Sequence, residues 1–148
     1  MRFDLIDGIA GFEPGSWIRA HKLASPDEPY WDLSGTKPIM PPELVLESLC
    51  QAGQWLLTAT TGVARRGALV SVGDAEFLDA VHPGEQLTLE AHLQRIDDEA
   101  AVIDGEARVG PRVVLRAEAV MAVLVDAGTL DDPAITRRRL EELIGKPA

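Results

Sequence analysis

Between Pro42 and Thr61 the chain carries apolar residues in almost every direction around a helical wheel. Val45, Leu49, Ala52 and Leu56 form one row, and Leu46, Cys50, Gly53 and Leu57 a second, at the three-to-four-residue spacing of a helix. One narrow polar line remains: Glu43, Glu47, Gln51, Gln54 and Thr58. A helix apolar over so much of its girth is buried inside its own domain. Pro41-Pro42 marks its start, where a missing N–H costs little, and Gly62 its end.

The flanking segments follow a different period. Gln86–Ile96 sets Leu87, Leu89, Ala91 and Leu93 against polar partners, the alternation of a half-buried strand. Ala68–Phe77, Ala100–Val109 and Val113–Val125 read as further strands, with turns at Asp97-Asp98 and Gly110-Pro111. Residues 3–24 read as two strands around the turn Glu13-Pro14-Gly15, opened by Phe3, Leu5 and Ile9 and resumed by Trp17, Ile18 and Ala20. Between 25 and 42, six prolines and glycines exclude a long regular element. Residues 131–145 read as a short charged helix. Strands, one buried helix and an antiparallel meander make an α+β design, one sheet covering one helix, in a single domain over 1–148.

Composition narrows the setting. With 148 residues, the chain is long enough to bury a core without staples. A lone cysteine, Cys50, cannot form an internal disulfide, which points to a reducing, cytoplasmic compartment. The N-terminus lacks the basic and apolar regions of a signal peptide, and no run approaches the ~18 apolar residues that span a bilayer. A formal net charge of −10 argues against nucleic acid as a partner. His21, His82 and His92 are scattered without metal-ligand spacing, so no metal is expected. Each reads as structural or exposed.

Several short motifs occur in one register. Asp32-Leu33-Ser34-Gly35-Thr36-Lys37-Pro38-Ile39-Met40-Pro41-Pro42 leads into the helix; Glu47 follows seven residues after Met40, and then Gln51-Ala52-Gly53. Downstream stand Ala75, Phe77, Val81 and Pro83-Gly84-Glu85-Gln86-Leu87. In this order, from about residue 2 to about residue 125, the chain resembles the bacterial 3-hydroxyacyl-(acyl-carrier-protein) dehydratases. The resemblance implies the hot-dog fold: a curled antiparallel sheet around one long helix, paired as a homodimer or as a heterodimer with a homologue. It implies an acyl thioester substrate in fatty acid or polyketide metabolism. The acyl group is then carried on the phosphopantetheine of an acyl carrier protein or coenzyme A, with no cofactor of the protein's own. It also places an acyl tunnel at the dimer interface, with Glu47 and Asp32 at catalytic positions and Gln51, Met40, Pro42 and Phe77 against the substrate.

Two departures alter the chemistry. Removing a proton beside a thioester carbonyl needs a base of near-neutral pKa, and the family's histidine is absent from the Asp32–Lys37 loop, which is one residue longer. The family's glycine at the helix start, a backbone donor to the thioester oxygen, is here Pro42, which has no N–H. Glu47 reads either as a solvated helix position or as a site-lining acid or base. Gln51 reads as surface-polar or as its hydrogen-bond partner, and Asp32 as a loop cap or a replacement acid. Cys50 reads as a small buried filler or a nucleophile. Arg65 and Arg66 read as surface charge or as a docking point for the carrier's phosphate. Three functions remain open: a diverged dehydratase, a non-catalytic partner of an active homologue, or a thioesterase directing water with Glu47.

Overall fold

The computed structural model describes residues 4–129 and 131–148; Phe3, expected at the head of the first strand, lies outside the described residues. Among those residues six strands form one antiparallel sheet: β1 (Gly8–Glu13), β2 (Trp17–Leu23), β3 (Arg65–Phe77), β4 (Gln86–Ile96), β5 (Ala100–Val109) and β6 (Arg112–Asp126). Their spatial order is β1-β2-β4-β5-β6-β3. One long helix, α1 (Pro42–Thr60), packs against all six strands, and a second, α2 (Pro133–Ile144), packs against β1.

The alternation in β4 buries Leu87, Leu89 and Ala91 under α1. They meet Leu49, Ala52, Leu56 and Leu57 of the helix in one core with Ile18, Ile103 and Leu115. Two glycines let the curled sheet close on α1. A Cβ at Gly67 would lie 2.7 Å from Leu57 Cδ1, and one at Gly53 3.1 Å from Ile103 Cδ1. Gly62 ends the helix with φ +62°, a backbone conformation that favours glycine.

β3 starts at Arg65, three residues before its apolar run. Arg65, Arg66 and Gly67 continue the ladder against Asp126, Val125 and Leu124, so the partner strand sets the boundary. The other side of β3 is an open sheet edge. Leu69, Val70 and Phe77 are exposed along it, Val70 at 57%.

The irregular segment before α1 is pinned. Asp32 and Ile39 exchange backbone hydrogen bonds of 2.9 and 3.1 Å, and the Met40 N–H donates to the Val81 carbonyl at 2.8 Å. Met40 is thereby drawn into the core at 2% exposure. Beneath the loop, buried Lys22 bridges Glu28 at 3.0 Å and Asp7 at 3.5 Å. Among the described residues, no helix is long and apolar enough to cross a membrane.

α2 begins on an Asp132 cap, whose Oδ1 accepts the Ala134 N–H at 2.9 Å. Leu140 and Leu143 are buried. Arg137 donates to the Gly62 carbonyl at the end of α1 (3.3 Å), and Arg139 reaches Asp4 (3.4 Å). Beyond the helix, the Lys146 carbonyl lies 3.2 Å from Nε2 of buried His21.

Candidate functional site

The residues expected in the site fall into two groups around α1. On one flank, Met40, Pro42 and Phe77 come together with Val45, Val81 and Val114 around a mainly apolar hollow of about 240 Å³. Glu47 and Gln51 occupy the other flank. At 3.6 residues per turn, Val45 and Glu47 point about 160° apart around the helix axis. Within one chain, the loop and hollow therefore face away from the Glu47 carboxylate.

Glu47 is half-buried and has a defined partner. Gln51 Nε2 donates to Glu47 Oε1 at 3.2 Å, and the Leu5 backbone N–H donates to Gln51 Oε1 at 2.8 Å. The second bond fixes which end of the amide faces the carboxylate. Cys50 stands beside them, buried, and its thiol is pushed up to about 11 by burial and then by the Glu47 charge. It stays a neutral thiol at neutral pH, which suits a core filler.

Asp32 is exposed and committed to its own loop. Its Oδ1 accepts the Ser34 N–H at 2.9 Å, and Ser34 holds its carboxyl below the usual carboxylate range through backbone and side-chain hydrogen bonds. Pro42 occupies the first turn of α1, where the Leu44 and Val45 N–H groups turn back to the Pro41 carbonyl. His82 Nδ1 lies 2.9 Å from the Pro38 carbonyl, and Val81 rather than His82 lines the hollow. His92 contacts Glu90 at 3.0 Å on the exposed sheet face. Among the described residues, no histidine lines the hollow.

A second, polar chamber of about 140 Å³ lies between the polar line of α1 and α2. Gln51, Gln54, Trp55 and Thr58 form its α1 wall, and Arg66 and Thr136 face them. Thr136 is 3% exposed, and its buried Oγ1 has no hydrogen-bond partner. Arg66 Nη1 pairs with Asp131 Oδ2 at 2.7 Å, whereas Arg65 donates to the Asp98 carbonyl. The two arginines thus meet different partners. The polar line was visible in the sequence. Thr136 carried no signal there, because its burial depends on where α2 docks.

A FabA-like domain model matches residues 1–118, which stops short of α2. The 3-hydroxyacyl-[acyl-carrier-protein] dehydratase FabZ of Nitratidesulfovibrio vulgaris (strain DP4) is 32% identical over 128 residues, covering 83% of this chain and 81% of that protein. FabZ of Chloroflexus aggregans is 35% identical over 126 residues, covering 82% and 85%. Among solved structures, the dehydratase heterocomplex ApeI:P from Xenorhabdus doucetiae aligns with a TM-score of 0.64 at 13% identity, over 91% of this chain and 88% of the other. The protein smu.793 from Streptococcus mutans, bound to acetyl CoA, aligns with a TM-score of 0.65 at 11% identity, over 80% and 88%. The curled sheet around α1 is the hot-dog fold, and the chain belongs to the FabA-like family.

Proposed function

We propose that this chain binds 3-hydroxyacyl thioesters carried on phosphopantetheine and supplies Glu47 to a composite site completed by a second, histidine-bearing hot-dog chain. Eliminating water from such a substrate takes one group to remove the α-proton and one to protonate the departing hydroxyl. Glu47, oriented by Gln51, offers one of the two. The observation that carries the reading is the division around α1: the Met40–Pro42–Phe77 hollow and Glu47 face opposite ways in one chain. Two chains paired along the β3 edge would bring the loop of one to the helix of the other. The FabZ relatives support the substrate class, and a dehydratase heterocomplex among the structural neighbours supports a mixed assembly.

This chain's own loop is poorly equipped to complete the chemistry. The Asp32 carboxylate is a weak base held by Ser34, and Pro42 has no N–H to offer the thioester oxygen. The test is a coupled assay on a short 3-hydroxyacyl carrier thioester, with the chain alone and mixed with a histidine-bearing homologue. Turnover is expected only in the mixture, and Glu47→Gln should lower it by about 10²–10⁴. Robust dehydration by the chain alone would overturn the composite reading. Release of free acid in place of dehydration would move the assignment to a thioesterase using Glu47.

A further inference from the structure

We propose that the mixed pair contains one working centre and one silent centre, the silent one built on this chain's own loop. This rests on the reading that Glu47 serves a loop supplied by a second chain, and adds how many such centres a pair holds. Pairing along the two β3 edges is two-sided. What the loop of one chain does to the helix of its neighbour, the neighbour's loop does in return. Two hot-dog chains therefore make two centres, each with a loop from one side and an α1 helix from the other. In a mixed pair the two are not equivalent. The first joins the homologue's histidine loop to Glu47, which Gln51 orients at 3.2 Å. The second joins this chain's loop to the homologue's helix.

The second centre lacks what the elimination needs from a loop. Its ends are tied, Asp32 to Ile39 at 2.9 and 3.1 Å and Met40 to Val81 at 2.8 Å. Between the ties stands Leu33, 72% exposed, which neither accepts nor releases a proton. The Asp32 carboxylate accepts the Ser34 N–H at 2.9 Å. Its hydrogen bonds with Ser34 hold it below the usual carboxylate range, so it is a weaker base still. His82 lies 2.9 Å from the Pro38 carbonyl, outside the lining of the hollow. The start of α1 has little to offer a developing oxyanion. Pro41 and Pro42 have no N–H, and those of Leu44 and Val45 turn back to the Pro41 carbonyl at 2.9 and 3.3 Å. The loop thus keeps its backbone ties and its apolar hollow without a competent base. No carboxylate on the homologue's helix makes up for that, because elimination takes two proton-transfer groups.

The experiment uses the mixed pair, isolated through a different affinity tag on each chain so that homodimers are removed. Dehydration of a short 3-hydroxyacyl carrier thioester is measured per pair. Glu47→Gln in this chain should lower the rate by about 10²–10⁴, and so should loss of the homologue's loop histidine. Replacing the homologue's own helix carboxylate by its amide should leave the rate unchanged, since that group faces the silent loop. Half the rate remaining after Glu47→Gln, and half again after the homologue's change alone, would reveal two equal centres. That result overturns the proposal and leaves the composite reading intact. Turnover that survives Glu47→Gln in full, or an unmodified pair with no turnover, removes the composite reading and this proposal with it. A gain of function checks the cause of the silence. Adding Leu33→His and Pro42→Gly to the Glu47→Gln chain gives the second centre a base and a donor. The rate should rise at least about tenfold over Glu47→Gln alone. No rise in a mixed pair of unchanged Tm would overturn the assignment of the silence to this loop.

Discussion

At the scale of single residues, the Glu47–Gln51 pair joins chemistry to architecture. Its four-residue spacing was legible in the sequence, since residues one turn apart share a helix face. What could not be read was the third member, the Leu5 backbone N–H, which comes from a segment remote in sequence. Gln51→Leu should strand that buried N–H, lowering stability by about 1–3 kcal/mol in a denaturant titration. It should also reduce turnover of the composite enzyme. Cys50 gives a pH test. Its thiol titrates near 9 in the unfolded chain and about 11 in the fold, so the folded state holds the proton longer. The associated stability is fully present below pH ~9 and is lost as pH rises towards ~11, a decline of about 2–3 kcal/mol. Cys50→Ala should flatten that alkaline limb in melts recorded across the range; an unchanged limb would assign it to other groups. Asp32→Asn should leave turnover unchanged, because the Asp32 carboxylate is engaged with Ser34.

At the scale of elements, α1 and the meander were the most legible parts. The helix interior showed its burial through two apolar rows, and β4 through strict alternation. The same logic missed the true start of β3, because Arg65 and Arg66 enter a ladder that β6 dictates. It also could not tell that Gln51, Gln54 and Thr58 on the polar line of α1 share a hollow with Arg66 and Thr136, since that depends on where β3 and α2 dock. Leu56→Ala, at a fully buried position, should cost about 2–5 kcal/mol. Asp132→Ala should cost about 1 kcal/mol by uncapping α2, read as a lower Tm.

At the scale of the whole molecule, the open β3 edge with exposed Leu69, Val70 and Phe77 is the feature that most demands a partner. Sedimentation at micromolar concentration should show a dimer, either of this chain or with an added homologue; monomer under both conditions would argue against the composite site. The strand order carries a further consequence, for the chain as it is made. β3 lies beside β6, the last strand to be synthesised, so a ribosome releases β3 before either of its edges has a neighbour. Throughout the synthesis of β4 and β5, an apolar ribbon must wait unpaired. A fragment ending at Val109 should therefore aggregate or recruit a holdase, whereas one reaching Ala127 should stay dispersed. The margin between a productive and a lost molecule would be set by how quickly some eighteen residues can follow.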